Sequence, residues 1–105
     1  MLQNFRTFNL SVDFYQECEK IKLPRHLKDQ LSRASSSISL NLAEGYGKNT
    51  YKDQRKFFQI SLGSLRECQA VLILAGFSRG SKVYELSDMI GAYLYKLIKS
   101  KKGPH

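Results

Sequence analysis

Apolar side chains recur every third or fourth residue in four segments of the chain, which is the spacing of an amphipathic helix. In the second segment they form one long stripe, which runs through Leu27, Leu31, Ala34, Ile38 and Leu42. None of the segments alternates apolar and polar residues in the manner of a β-strand. The pattern therefore predicts four helices, at about residues 10–22, 26–45, 50–76 and 81–100, and no sheet.

Residues that break or cap helices separate the four segments. Pro24 cannot continue the first helix. Gly45 and Gly47 are expected to end the second helix in left-handed conformations, and Thr50 is a candidate N-cap for the third. Because the connections are short, consecutive helices are expected to be antiparallel neighbours. The chain, residues 1–105, is thus predicted to be one all-α domain, an antiparallel up-down-up-down four-helix bundle.

The composition narrows the class of protein. The chain has 105 residues, of which 42% are hydrophobic and 25% charged. This apolar fraction excludes a disordered basic tail, and no apolar run reaches the ~18 residues of a membrane span. The first ten residues contain too many polar side chains for a signal peptide. Without such a signal, Cys18 and Cys68 indicate core thiols in a reducing compartment. We therefore expect a cytoplasmic protein that does not enter a membrane.

The third predicted helix is apolar on more than one face. Its apolar residues are Phe57, Phe58, Ile60, Leu62, Leu65, Val71, Leu72, Ile73, Leu74 and Ala75. Such a helix is either deeply buried or shared with another subunit, and a bundle of this size has no deep centre. We expect a homo-oligomer whose interface includes part of this helix; a partly exposed apolar face is the alternative.

The sequence contains no convincing catalytic or metal-binding motif. The histidines are His26 and His105, and neither has a partner at metal-ligand spacing. The segment Gly45–Thr50 superficially resembles a phosphate-binding loop, but it lacks the serine or threonine after the lysine and follows a helix instead of a strand. We expect no enzyme, no metal and no cofactor.

A polar stripe follows the facing sides of the second and third helices. If the chain folds back near residue 50, facing residues have numbers that add up to about 100, so the hairpin predicts an Arg33–Glu67 ion pair flanked by hydrogen bonds from Ser64 or Asn41. Such networks fix the register of packed helices. The members of the predicted structural network are Arg33, Ser37, Asn41, Glu44, Ser64 and Glu67.

Positive charge is concentrated in the second part of the chain. The net charge is +8, from 17 basic and 9 acidic residues. Residues 1–44 carry six basic and five acidic side chains, whereas residues 45–105 carry eleven and four. The up-down topology brings nine of the basic residues, against the two acids Glu44 and Asp53, to one end of the bundle. We call this end the basic pole, and its basic residues are Arg6, Lys48, Lys52, Arg55, Lys56, Lys96, Lys99, Lys101 and Lys102.

Three of these residues stand where a helix dipole disfavours them. Lys52, Arg55 and Lys56 occupy the first turns of the third helix, where the dipole favours acids. Free N–H groups there can bind phosphate, and Tyr46 and Tyr51 beside the loop could stack on unpaired bases. The predicted nucleic-acid contacts are Lys48, Lys52, Arg55 and Lys56, helped by Lys99, Lys101 and Lys102. A solvated basic end without a ligand is the alternative.

Four stretches of the sequence together resemble the "four helix bundle protein" family, which includes proteins encoded in intervening sequences of bacterial 23S ribosomal RNA genes. The stretches are Leu23-Pro24, QLSRASSSI at 30–38, NLAEGYG at 41–47 and KFFQISLGSLRE at 56–67. The resemblance covers most of residues 10–77.

The resemblance implies a left-handed four-helix bundle of a kind that often assembles as a ring-like homopentamer. Related proteins include the accessory variability factors of diversity-generating retroelements, which are basic pentamers that bind a reverse transcriptase and its template RNA. By analogy, the resemblance supports RNA binding as an accessory factor. Two alternatives stay open: a protein-interaction scaffold, which binds an acidic partner through the basic pole or binds a reverse transcriptase or other partner, and an intervening-sequence product without a ligand.

Overall fold

The computed structural model describes residues 1–100, and these residues form four α-helices. The helices are α1 (Arg6–Glu19), α2 (Arg25–Tyr46), α3 (Tyr51–Leu74) and α4 (Lys82–Lys99), and a short 3₁₀ turn, Leu2–Asn4, precedes α1. No strand occurs in this part of the chain. The predicted all-α fold with four helices is confirmed.

Each helix packs against its neighbours in the sequence, and α1 also packs against α4, so the four helices close into a bundle of 40 × 23 × 21 Å. The interface between α2 and α3 is the most extensive. Along this interface, the Ser37 hydroxyl lies 2.9 Å from that of Ser64, and Gln30 bonds to Glu67. Successive residues of α2 therefore contact residues of α3 in reverse order, so the two helices are antiparallel.

The core lies along the axis between the four helices. Its largest fully buried side chains include Phe5, Phe14, Leu31, Ile38, Leu42, Phe58, Leu65, Leu72, Ile90 and Leu94. Burial of each such side chain contributes roughly 1.5–3 kcal/mol to folding. All four helices contribute to this set, so it holds the whole bundle together.

The first helix begins at Arg6 instead of near residue 10, because the residue before it is anchored in the core. Phe5 is fully buried, and its ring stacks on that of Tyr46 with 5.1 Å between centroids. The centroid of the Phe58 ring lies 6.1 Å from that of Phe5. Polar residues surround Phe5 in the sequence, so the apolar pattern did not predict that Phe5 is buried.

The same helix ends at Glu19 instead of near residue 22, because a lysine from α2 binds the carbonyls at its end. The Lys28 ammonium donates to the carbonyl oxygens of Cys18, Glu19 and Ile21 at 3.0, 2.7 and 2.8 Å. A positive charge at this position also suits the negative end of the helix dipole. Lys28 thus stabilises the connection between the end of α1 and Pro24, the residue directly before α2.

The glycines after α2 do not adopt the predicted left-handed conformations. Gly47 has a φ of −83°, and Gly45 is a buried residue inside α2. The left-handed residue is Gly76, with a φ of 94°, just after α3. It turns the chain so that the Phe77 N–H bonds to the Leu72 carbonyl at 2.9 Å.

Both cysteines are free and buried, in agreement with their predicted place in the core. Burial raises the pKa of the Cys18 thiol from 9.0 to about 12, with smaller effects from nearby charges. Burial also raises the pKa of Cys68, and the neighbouring Cys18 acts in the same direction. The two thiols are therefore protonated at neutral pH.

Candidate nucleic-acid interface

Aromatic contacts join three parts of the chain at the basic pole. Phe5, just before α1, contacts Tyr46 at the end of α2 and Phe58 near the start of α3. One residue later, the Arg6 guanidinium reaches the Tyr93 hydroxyl of α4 at 3.4 Å. The start of α1, the connection between α2 and α3, and the end of α4 therefore share one end of the bundle.

The first turns of α3 carry three basic side chains without a partner in the described part of the chain. Lys52 and Lys56 are exposed, and Arg55 is half-buried. None of them forms an ion pair or a side-chain hydrogen bond with a residue among 1–100. Their spacing of three and four residues places them on one side of α3. The Thr50 hydroxyl accepts the Asp53 N–H at 3.2 Å, so the helix start is capped as predicted.

Lys48 differs from these three because its charge already has partners. Its ammonium lies 3.7 Å from the Glu44 carboxylate and 5.1 Å from the centre of the Phe57 ring. Lys48 therefore borders the open side of α3 with a charge that Glu44 partly balances. Glu44, a predicted member of the polar network between α2 and α3, forms its ion pair with Lys48 instead.

Of the remaining predicted contacts, Lys99 is the last residue of α4. The Lys99 ammonium lies 4.9 Å from the centre of the Tyr95 ring, and both side chains are exposed. The predicted contacts Lys101 and Lys102 lie outside the described residues.

The two tyrosines beside the connection between α2 and α3 have different surroundings. The Tyr46 hydroxyl accepts from the Met1 amine at 2.9 Å and donates to the Met1 carbonyl at 3.0 Å, and its ring stacks on Phe5. The hydroxyl and one face of the Tyr46 ring are therefore occupied within the chain, which leaves Tyr46 less free than predicted to stack on bases. Tyr51 is 45% exposed and has room to stack.

The centre of the predicted polar network forms hydrogen bonds between α2 and α3. The Ser37 and Ser64 hydroxyls are 2.9 Å apart, and the Asn41 amide donates to the Ser37 carbonyl at 2.9 Å and to its hydroxyl at 3.1 Å. These three side chains are half-buried. Deeper in the same interface, the Ser61 hydroxyl donates to the Ile38 carbonyl at 2.9 Å. These bonds fix the register of the two helices.

The predicted Arg33–Glu67 ion pair is wrong. Ion pairs in the described part of the chain join Lys20 with Glu17 and Lys48 with Glu44. A Glu67 carboxylate oxygen accepts from the Gln30 amide at 3.4 Å, while Arg33 is exposed.

Helix rotation explains this difference. Arg33 precedes Ser37 by four residues, so it lies about 40° farther from α3, whereas Gln30 departs from the line of Ser37 by only about 20° in the opposite sense. The rule that facing residues have numbers that add up to about 100 predicts the correct position along the helix axes, but it does not include the rotation of each residue around its helix.

The described residues offer neither a metal site nor a membrane span. Among residues 1–100, no group of three His, Cys, Asp or Glu side chains is arranged to hold a metal ion. None of the helices in that range combines the length and the apolar character needed to cross a bilayer.

Comparisons with known proteins identify the family. Searches of curated proteins and of solved structures found no significant match. The sequence model of the family described as "23S rRNA-intervening sequence protein" matches residues 5–91, which is most of the chain and includes the whole of α1, α2 and α3 and the first part of α4. The chain therefore belongs to the 23S rRNA-intervening sequence protein family.

Proposed function

We propose that this chain is a non-enzymatic, homo-oligomeric protein that binds RNA through its basic pole as an accessory factor in the cytoplasm. The observation that carries the proposal is the set of three basic side chains without partners at the start of α3: Lys52, Arg55 and Lys56. The two buried free thiols suit a reducing compartment.

These three charges are unfavourable in the isolated protein. Each stands near the positive end of the α3 dipole, which costs a few tenths of a kcal/mol. Asp53 in the same turn suits that dipole, but none of the three basic side chains forms an ion pair with a carboxylate among residues 1–100. A phosphate bound across this surface would relieve both the repulsion among the side chains and the unfavourable dipole. Contacts to phosphate do not read sequence, so binding is expected to be largely independent of RNA sequence and to weaken steeply with salt.

Exposed apolar residues on α3 support the homo-oligomer. Ile60 is 46% exposed and Leu74 is 74% exposed. They are fourteen residues apart, which is close to four helical turns, so both lie on the same side of α3. An assembly that covers this side would repeat the basic pole once per subunit, and RNA could then contact several poles at once. The family resemblance favours a pentamer.

The proposal is tested by measuring the binding of a fluorescein-labelled RNA hairpin to the full-length protein by fluorescence anisotropy. Reversal of two charges, Lys52→Glu with Arg55→Glu, is expected to weaken binding by at least about tenfold, because carboxylates on each subunit would then repel the phosphates that the two cations attract. Both side chains lie outside the core, so the melting temperature should change little.

The chain offers a matched control at the opposite end of the bundle. Lys22 and Arg25 are exposed and lie just before and at the start of α2, so Lys22→Glu with Arg25→Glu changes the net charge equally. This control is expected to retain most of the affinity. Equal affinities of the wild type and the Lys52/Arg55 variant for the RNA would contradict the proposal. Binding of an acidic protein partner would then be the better explanation of the basic pole.

A further inference from the structure

A cavity of about 310 Å³ lies at the basic pole, between the start of α1 and the end of α4. It is lined by Arg6, Thr7, Tyr93, Lys96 and Leu97. Two of these side chains are cationic, two carry hydroxyl groups, and none is acidic. The lining is thus suited to an anion.

Two cations share one aromatic ring at this cavity. The Arg6 guanidinium carbon lies 5.9 Å from the centre of the Tyr93 ring, and the Lys96 ammonium lies 6.0 Å from it. The Arg6 guanidinium also donates to the Tyr93 hydroxyl at 3.4 Å. These distances are at the outer limit of a favourable cation–π contact, and the two like charges repel each other. The ring alone therefore compensates poorly for bringing them together.

Carboxylates are remote from this pair of cations along both helices. The next acidic residue on α1 is Asp13, seven residues after Arg6, and the nearest on α4 is Asp88, eight residues before Lys96. At 1.5 Å per residue, these separations are about 10 Å and 12 Å along the helix axes. The two helices that form the cavity therefore place no carboxylate at it. The negative end of the α4 dipole lies near Lys96, whereas Arg6 and Thr7 stand at the positive end of the α1 dipole.

Thr7 adds a second polar group, largely buried, to the lining of this cavity. The residue is only 3% exposed and lines the cavity, and its hydroxyl forms no hydrogen bond with any residue among 1–100. Every fully enclosed side-chain nitrogen or oxygen in that range has a partner, so the small exposed part of Thr7 includes its hydroxyl. This hydroxyl is therefore able to bond to water or to a bound acceptor. Thr7 lines the same cavity as Arg6 and Lys96, so an acceptor held there by the two cations would lie beside it.

We propose that this cavity is a phosphate-binding site. Arg6 and Lys96 pair with phosphate oxygens, while the hydroxyls of Thr7 and Tyr93 donate hydrogen bonds to them. A tetrahedral phosphate offers several acceptor oxygens in different directions, which matches two cations and two hydroxyls better than a planar carboxylate does. In the nucleic-acid complex the site takes one backbone phosphate; this second part rests on the proposed function.

The site is tested first with inorganic phosphate alone. In ¹⁵N-labelled protein, phosphate is expected to shift the amide signals of Thr7, Tyr93 and Lys96 saturably. Thr7→Val removes the hydroxyl at nearly constant volume and should weaken binding without lowering the melting temperature, which a merely structural threonine would not do. Arg6→Gln with Lys96→Gln should weaken phosphate binding by about tenfold or more, the equivalent of one charge-assisted hydrogen bond. Lys22→Gln with Arg25→Gln is the control and should leave it unchanged.

RNA then distinguishes free phosphate from a backbone phosphate. Addition of the RNA hairpin is expected to displace inorganic phosphate and to shift the same three amides. Absence of any saturable shift with phosphate would overturn the site, whatever RNA does. Phosphate binding that RNA leaves undisturbed, while RNA binds through Lys52 and Arg55, would overturn only the assignment of the site to the RNA surface. If RNA does not bind the wild-type protein at all, the proposed function is contradicted. The phosphate titration alone still shows whether the cavity binds phosphate.

Discussion

Gly45 of α2 lies so close to Phe58 of α3 that a methyl group on Gly45 would come within 2.7 Å of the Phe58 ring. The Phe57 Cβ would lie 3.1 Å from the same methyl group. Phe58 is 1% exposed and therefore has little freedom to move aside. This close approach joins α2 and α3 one turn before the connection that carries Lys48, so it positions the basic pole.

Gly45→Ala is accordingly expected to destabilise the protein by about 1–3 kcal/mol, because overpacking at Phe58 outweighs the better helix propensity of alanine. Chemical denaturation monitored by circular dichroism measures this difference. Gly63→Ala is the control: Gly63 is exposed within the single subunit, and a methyl group there would meet no atom of that subunit within 4 Å. Both variants also carry Ile60→Glu with Leu74→Glu, because Gly63 lies on the side of α3 that is proposed to contact other subunits. The Gly63→Ala variant should gain about 0.5–1 kcal/mol. A Gly45→Ala protein as stable as Gly63→Ala would contradict this packing.

Lys28 is expected to contribute to stability through the carbonyls at the end of α1. Lys28→Met keeps most of the aliphatic stem and removes the three hydrogen bonds, so we expect a loss of about 1–2 kcal/mol. Lys20→Met removes an exposed ion pair with Glu17 and should cost only a few tenths of a kcal/mol. Thermal unfolding of both variants checks the contrast, and equal losses would argue against a special role for Lys28.

The buried thiols predict a loss of stability at alkaline pH. The Cys18 pKa is about 12 in the folded protein and 9.0 as a free thiol, and burial raises the pKa of Cys68 as well. Between these values the unfolded chain has lost protons that the folded chain retains, so the free energy of unfolding falls as the pH rises above 9.0. The slope is up to about 1.4 kcal/mol per pH unit for each thiol.

Denaturant titrations between pH 8 and 11 measure this slope, and the variant Cys18→Ala with Cys68→Ala serves as reference. Tyrosine and lysine titrations are common to both proteins, so they cancel in the comparison. The wild-type stability should fall more steeply than that of the variant. Parallel curves would show that the thiols ionise as easily in the folded protein as in the unfolded chain.

The exposed apolar side of α3 predicts assembly in solution. Ile60→Glu with Leu74→Glu places charges on that side without touching the core, so the subunits should fold and fail to associate. Light scattering during gel filtration is expected to give an oligomer for the wild type, a pentamer if the resemblance holds, and a monomer for the variant. Met89→Glu, at an exposed position on α4, is the control and should assemble normally. A monomeric wild type would contradict the expectation.

The sequence was sufficient for the four helices because their apolar periodicity and their punctuation agree. Its failures have specific physical causes. Phe5 was hidden among polar residues, and its burial moves the start of α1 to Arg6. Lys28 acts across a connection, on carbonyl groups that a one-dimensional pattern does not bring near it. Glycine identity alone could not distinguish the close approach at Gly45 from the left-handed turn at Gly76.

For the candidate interface too, the sequence pattern predicts some features, whereas others depend on packing between helices. The concentration of charge near residues 48–56 could be read from the chain because it depends only on topology. The occupation of Tyr46 by Phe5 and Met1 depends on packing. So does the cavity at Thr7, since a single buried threonine carries no signal in a sequence without its neighbours.

The salt dependence of RNA binding tests the central claim most directly. Neutralising Lys52 and Arg55, as Lys52→Gln with Arg55→Gln, leaves two phosphates per engaged subunit without a cation and adds no repulsion. The slope of log K against log salt concentration should then become shallower by about 1 for each phosphate that the protein no longer neutralises, while Lys22→Gln with Arg25→Gln leaves it unchanged. Identical slopes for the wild type and the Lys52/Arg55 variant would contradict the account, because RNA would then be bound without the start of α3.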